Sequence, residues 1–343
     1  EEDVETRHRC ITLDVILLRI PGGVQAGRVP PMETVVINNL GFPLGEEITD
    51  LPGIRVIDAP PDGEPLPVDL GGEVLWTLFD GGTNLAALLE RGVRWVHTLG
   101  TGVDKFPLDV IGDQTLTCSR GASAVPISEW VLAHMLAATK AIPGSWLDAP
   151  PADGWNTDSR LSSLAGSTVV ILGTGGIGSR VARLCLAFDM RVIGVRRRAV
   201  PAPVDGIEMS TDLLAAVGDA DHLVVAAPAT PATRHMVGAD VFAAAKPGLH
   251  LVNIARGSLV DQDALRSALD DGRVGLASLD TVEPEPLPTG HWLYEHDRVR
   301  LTPHISWAGP GSFTALAAAF ADNYHRDRAG EPLEGVVDID GGY

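Results

Sequence analysis

The chain has 343 residues, room for about two domains at roughly 150 residues each. With 45% hydrophobic and 21% charged residues, it has the balance of a globular protein that buries a core. Its 26 basic and 45 acidic residues leave a net charge of −19, which argues against general binding to nucleic acid or to anionic membranes.

Three dispersed cysteines, Cys10, Cys118 and Cys185, form no CxxC pair. A disulfide framework and a zinc ribbon are therefore disfavoured, and a reducing compartment fits. His291 and His296 near Asp297 lack a Cys or a second acidic partner, so no metal site is expected. No run reaches the ~18 uncharged apolar residues of a membrane span. The acidic start, Glu1-Glu2-Asp3, is unlike a signal peptide. A cytoplasmic location is the expectation.

In chain order, Thr12–Ile20 reads as a strand and Pro21–Pro31 as a loop rich in Gly and Pro. Val74–Phe79 and Val93–Thr98 read as strands around a helix at Asn84–Glu90, so residues 1–121 form a smaller α/β unit. Pro126–Lys140 follows as a helix, with Pro at its first position and Ile127, Trp130, Val131, His134 and Ala138 on one face. It links the two units.

Strands are then predicted at Thr168–Leu172, Arg191–Val195, His222–Ala227, Leu249–Ile254, Val274–Leu279 and Val299–Thr302. Helices at Ile177–Phe188, Thr211–Val217, Ala239–Ala245 and Asp261–Asp270 lie between them, the last with Asp261 as its cap and Gly272 past its end. Near-continuous apolar strands alternating with helices predict a parallel sheet covered on both faces, over residues 122–304. After a turn at Pro310–Gly311, Ser312 is a candidate cap for a helix with Phe313, Leu316, Phe320 and Tyr324 on one stripe. That stripe is expected to pack back on the first unit. The first unit is then discontinuous, residues 1–121 with 305–343.

The strand at Thr168–Leu172 runs into Gly173-Thr-Gly175-Gly176-Ile177-Gly178 and then a helix. In such a GxGxxG loop the first Gly permits the tight turn, the second lets the backbone approach a pyrophosphate, and the third lets helix and strand pack closely. The helix N-terminus offers unpaired N–H groups to the anion. The flanking strand, helix and second strand make this far stronger than a bare glycine motif. The second strand ends in Arg196, Arg197 and Arg198, where a carboxylate would accept from a free ribose 2′-hydroxyl. Guanidinium groups bind a 2′-phosphate instead, so NADP(H) is preferred and NAD(H) remains possible.

Three polar residues emerge from strand ends beside that loop. Arg256 follows Leu251-Val-Asn-Ile-Ala, and its fork suits a carboxylate beside a carbonyl. The next strand is followed by a Glu, either Glu283 or Glu285, and the one after by His304. A Glu–His pair would stabilise a charged imidazole, leaving a general acid for a carbonyl oxygen.

From Val93 to Ala308 the sequence resembles the D-isomer-specific 2-hydroxyacid dehydrogenase family. The resemblance is carried by Gly100-Thr-Gly102-Val-Asp104, the GxGxxG unit, Ala227-Pro228 through His235, Leu251–Asp261, Asp280–Pro288 and Leu301–His304. It implies two Rossmann-like, doubly wound parallel-sheet α/β domains with the site in the cleft between them, and a homodimer through the dinucleotide domains. It implies NAD(P)H-dependent reduction of a 2-keto acid to a D-2-hydroxy acid, or the reverse. Arg256 would bind the substrate's carboxylate and keto group, His304 would transfer the proton, and Glu285 would pair with His304. Asp280 would contact the nicotinamide carboxamide, with Ala227, Pro228, Ile254 and Ala255 also against the dinucleotide. Backbone groups of Leu99, Gly100, Thr101 and Gly102 would hold the carboxylate from the first domain. Cleft closure would exclude water before hydride transfer.

The departures also inform. Arg196 replaces the family's common acidic residue, consistent with NADP. Formate dehydrogenases, which resemble the family, carry Gln at the Glu285 position, so formate oxidation is disfavoured. Trp307 lies where smaller residues are frequent, and either narrows the pocket or packs. The first 30 or so residues fit the family poorly, which leaves the substrate open. The leading expectation is an NADP-dependent reductase of a small 2-keto acid, of the glyoxylate/hydroxypyruvate type. The alternatives are a dinucleotide-sensing, corepressor-like binding protein and a phosphoglycerate or phosphite dehydrogenase on the same scaffold.

Overall fold

The computed structural model describes residues 33–150, 155 and 161–343. The strand expected at Thr12–Ile20 lies outside the described residues. The chain runs β1 (Thr34–Asn39), α1 (Glu46–Thr49), β2 (Ile54–Asp58), β3 (Val74–Thr77), α2 (Leu85–Leu89), β4 (Trp95–Thr98), β5 (Thr115–Cys118) and α3 (Ala124–Thr139). It continues with β6 (Thr168–Leu172), α4 (Gly176–Ala187), β7 (Arg191–Val195), β8 (Glu208–Ser210), α5 (Leu213–Val217), β9 (His222–Val225) and α6 (Ala239–Ala244). The last elements are β10 (Leu249–Asn253), α7 (Gln262–Asp270), β11 (Val274–Leu279), β12 (Val299–Leu301) and α8 (Ser312–Ala329).

The strands form two sheets, one of five strands in the order β2-β1-β3-β4-β5 and one of seven in the order β12-β11-β10-β9-β6-β7-β8. Every strand pairing in both is parallel. All residues of β3, β4, β6, β9 and β10 are buried, as a parallel sheet covered on both faces requires. The result is a two-domain, Rossmann-like α/β fold. Strand order reverses between β6 and β9 in one sheet and between β1 and β3 in the other. Crevices outside the carboxyl ends of strands at such reversals are where ligands bind in open α/β sheets.

Helix ends follow local chemistry. Asp261 caps α7, its carboxylate accepting from the amides of Asp263 and Ala264, and Gly272 follows at φ +79°. Two details differ from expectation. Helix α3 starts at Ala124, so Pro126 is its third residue, where its missing N–H still costs no intrahelical bond. Ser312 does not cap α8: Gly311 does, at φ +80°, and the Ser312 hydroxyl donates to the Trp307 carbonyl at 2.9 Å.

Helix α3 packs Ile127, Val131 and Met135 against Val181, Ala182 and Cys185 of α4 on one face of the seven-stranded sheet. Helix α8 lies against the five-stranded sheet. Its Phe320 stacks on Trp76 (centroids 4.2 Å, 2° between planes) and on Trp95 (5.3 Å, 10°). Leu316 and Tyr324 are buried with it, whereas Phe313, on the expected stripe, is 59% exposed.

Several histidines are structural. His97 is fully buried, bonded to Thr117 Oγ1 at 2.8 Å and Ser119 Oγ at 3.1 Å. His222 and His250 meet through their Nδ1 atoms at 3.1 Å. Burial disfavours their charged forms, pushing His97 down to about 3 and His222 down to about 4. They stay neutral and are satisfied within the core. Among the described residues, no helix is long and apolar enough to cross a membrane.

Candidate active site

The Gly-rich loop leaves β6 at the sheet's reversal. Gly173 takes φ +97°, and a Cβ there would meet the Ala226–Ala227 backbone. Gly178 packs against the Gly173 carbonyl, while a Cβ on Gly175 would meet nothing within 4 Å. The first turn of α4, Gly176 to Gly178, carries amides that have no intrahelical partner. Thr174 Oγ1 is buried in the same loop with no hydrogen-bond partner among the described residues. An open cradle with an unsatisfied hydroxyl and free helix amides fits the phosphates of a dinucleotide.

Arg196, Arg197 and Arg198 follow β7 and are exposed. The Arg196 amide donates to Ser210 of β8, which holds the turn. Arg197 and Arg198 both reach the Tyr343 hydroxyl, at 3.3 and 3.4 Å, and Arg197 lies 5.9 Å from that ring's centroid.

Arg256 follows β10 through a turn built by Asn253. This buried side chain accepts from the Ala255 amide at 3.1 Å and donates to the Arg256 carbonyl at 2.9 Å. Ile254 and Ala255 are buried between them. The Arg256 guanidinium crosses to the other sheet's loop, with Nε on Asp104 at 3.0 Å and Nη2 at 2.9 Å. Its Nη1 donates to the Ala255 carbonyl at 2.8 Å. Two of its five N–H groups, one on each Nη, are left without a partner among the described residues. Gly102 lies directly against Arg256, since a Cβ there would meet the guanidinium. Leu99, Gly100 and Thr101 lead into that contact. The Leu99 amide donates to Thr77, the Gly100 carbonyl accepts from Ser119, and the Thr101 hydroxyl donates to the Ser119 carbonyl.

Gly257 joins this loop to the next. A Cβ there would collide with the Val282–Glu283 backbone, so only Gly lets the two strand ends meet. The Val282 amide donates to Glu285 Oε1 at 3.0 Å, and Glu285 Oε2 accepts from His304 Nδ1 at 2.9 Å. Burial pushes the Glu285 carboxyl up. The hydrogen bonds from His304 and Val282, with the charges of His304 and Lys105, outweigh it and hold Glu285 below the usual value. An ionised Glu285 only accepts, so Nδ1 carries a proton and Nε2 faces away from the carboxylate. Neighbouring Glu283 instead pairs with Arg234 at 3.0 Å.

His304 sits at φ +54°, an uncommon backbone position for a residue with a side chain. Asp280 holds it there. Its buried carboxylate accepts from the Thr302 hydroxyl (2.5 Å) and from the amides of Ile305 and Ser306 (both 2.9 Å). The Trp307 indole N–H donates to the His304 carbonyl at 3.0 Å. Asp104, Asn253 and this use of Asp280 were not anticipated from the sequence. Asp104 ends the Gly100–Asp104 motif, which is the one signal that pointed to it.

The fold brings an Arg, a Glu and a His to neighbouring strand ends of a parallel sheet that also carries a Gly-rich strand-to-helix loop, an arrangement that suits hydride transfer to or from a dinucleotide. The family model described as "D-isomer specific 2-hydroxyacid dehydrogenase, NAD binding domain" matches residues 132–306, just over half of the chain. Glyoxylate/hydroxypyruvate reductase B of Pectobacterium carotovorum is 31% identical over 257 residues, covering 71% of this chain and 79% of that protein. D-3-phosphoglycerate dehydrogenase of Methanocaldococcus jannaschii is 29% identical over 252 residues, covering 72% of this chain but 48% of that protein. The crystal structure of a D-isomer specific 2-hydroxyacid dehydrogenase from Xanthobacter autotrophicus, in complex with NADPH and MES, superposes with a TM-score of 0.76 at 26% identity. That match covers 91% of this chain and all of that one. The chain belongs to the D-isomer specific 2-hydroxyacid dehydrogenase family and is an NAD(P)-dependent oxidoreductase interconverting 2-keto and 2-hydroxy acids.

Proposed function

We propose that the chain reduces a 2-keto acid to its D-2-hydroxy acid with NADPH, in the cleft where Asp104 meets Arg256. The observation that carries this is the His304–Glu285 hydrogen bond, joined through Gly257 to the Arg256 loop on the sheet that also carries the dinucleotide cradle. Residues 1–121 with 305–343 form the substrate unit in this reading, and residues 122–304 the dinucleotide unit.

Gly173, Gly175, Gly176, Ile177 and Gly178 would hold the pyrophosphate, and Arg196, Arg197 and Arg198 the 2′-phosphate. Ala227, Pro228, Ile254, Ala255 and Asp280 would line the nicotinamide half. Bound there, the cofactor supplies the hydride. The Arg256 fork and the Leu99–Gly102 backbone orient the substrate's carboxylate and keto group. Asp104 fixes the other edge of the guanidinium, so the fork is aimed before substrate arrives. His304 Nε2 gives its proton to the keto oxygen as charge develops there, and Glu285 steadies the imidazole through Nδ1.

Three exposed guanidinium groups with no carboxylate at the end of β7 favour NADPH over NADH, and the NADPH-bound relative supports that choice. One charge-assisted hydrogen bond is worth ~1.5–3 kcal/mol, so kcat/KM with NADPH should exceed that with NADH by at least about tenfold. Changing Arg196→Asp together with Arg197→Ser should erase or reverse the preference. Equal or better efficiency with NADH in the unmodified chain would remove the arginines from cofactor selection.

A further inference from the structure

The five-stranded sheet has its own strand-order reversal, between β1 and β3. A cavity of about 190 Å³ opens at that point. Leu40, Leu44 and Ile48 of the segment after β1, Trp76 of β3, Leu99 after β4 and Phe313 of α8 wall it, with Glu47 as the one charged lining residue. The cavity is linked to the candidate site by one lining residue, Leu99, and by the neighbours of another, Phe313. Leu99 is the first residue of the loop that reaches Arg256 through Gly102. Phe313 meets Trp307 edge-on, with centroids 5.9 Å apart, and the Trp307 indole is bonded to the His304 carbonyl.

The mouth is unusually apolar. Phe42 and Phe313 meet edge-on at 6.4 Å, yet they are 43% and 59% exposed. Phe79, its Cβ close beside Gly100, and Ile305, next to His304, are each 47% exposed. The Phe42–Phe313 pair leaves exposed apolar surface at the cavity, and such surface beside a site marks one that something apolar covers.

We propose that the substrate is a 2-keto acid with an apolar side chain, branched aliphatic or aromatic, and that this side chain fills the cavity beside Leu99. The proposal rests on the 2-keto acid reading above. Its chemistry follows from what the lining offers. The hydrogen of glyoxylate would leave the cavity unfilled. The hydroxymethyl group of hydroxypyruvate would sit among alkyl and aryl groups. A phosphate would find no cation among the lining residues, and Glu47 would repel it. An isobutyl or benzyl group replaces water against Leu40, Leu44, Ile48 and Trp76, and covers Phe313 and Phe42.

The test is the steady-state efficiency of the full chain with NADPH against glyoxylate, hydroxypyruvate, 4-methyl-2-oxopentanoate, phenylpyruvate and a 2-keto acid with a basic side chain. Each methylene buried is worth roughly fourfold in binding. At least one of the two apolar acids should therefore exceed glyoxylate and hydroxypyruvate by about tenfold or more, mostly through KM. Phe313→Ser, at an exposed position that the fold does not need, should lower efficiency for that acid more than for glyoxylate. Higher efficiency with glyoxylate, hydroxypyruvate or the basic acid, or equal efficiency across the panel, overturns the proposal while leaving the 2-keto acid reading intact. No turnover of any member, with NADPH or NADH, overturns both.

Discussion

His304→Ala should lower kcat for 2-keto acid reduction by about 10²–10⁴-fold, the range of a positioned general acid. NADPH binding, followed by its fluorescence, should be nearly unchanged, because His304 lies after β12 and the cradle lies after β6. Glu285→Gln removes the ionised partner of His304 Nδ1 but leaves an atom that still accepts a hydrogen bond. Its loss should be smaller, about ten- to a hundredfold, the value of one charge-assisted bond. The double variant separates a working pair from two independent residues. If Glu285 acts only through His304, adding Glu285→Gln to His304→Ala should cost little more. Fully additive losses would mean that Glu285 serves something other than the imidazole.

Arg256→Lys keeps the charge and loses the fork. With one bidentate interaction worth ~1.5–3 kcal/mol, kcat/KM should fall at least about tenfold. NADPH affinity should hold. Arg256→Ala should fall further, and in addition it strands Asp104, whose carboxylate now pairs with Nε and Nη2. Asp104→Asn keeps a hydrogen bond but releases the guanidinium from a fixed angle, so it should raise KM more than it lowers kcat. Unchanged efficiency in Arg256→Lys would take the arginine out of the substrate site.

The dinucleotide half was the more legible half of the sequence. Strands β6, β7 and β11 match their expected bounds because each is a largely apolar, largely buried run between turn residues. The loop after β6 carries its own signature in Gly173, Gly175 and Gly178. The smaller sheet was less legible. In β1 the apolar Val35–Ile37 is followed by Asn38 and Asn39, which look like a turn. In the fold Asn38 bonds to Asp58 at 2.7 Å and Asn39 to Thr77 at 3.1 Å. Edge strand β2 is only half-buried, and three-residue β8 is too short to carry a period. Pairing with neighbours made these strands, and no local pattern announced them.

The site divides in the same way. Arg256, Glu285 and His304 were visible because strand ends aim side chains into a crevice and because their spacing matches a family. Asp104 ends the Gly100–Asp104 motif, and its place there assigns it no role. Its partner Arg256 is 152 residues away, a pairing that only the packing of the two sheets creates. In sequence Asn253 reads as part of an apolar strand, and its two bonds that set the Arg256 turn are invisible without the turn itself. Phe313 was placed on a core stripe by helical spacing. It belongs to the first turn of α8, which projects past the sheet to the cavity mouth.

The most direct test of the account is the product itself. The chain should be incubated with NADPH and an excess of hydroxypyruvate, 4-methyl-2-oxopentanoate or phenylpyruvate, whose reduced products are chiral, and any hydroxy acid resolved by chiral chromatography. The account predicts one D-2-hydroxy acid formed for each NADPH consumed. Cofactor bound with no hydroxy acid formed, or an L product, would contradict it.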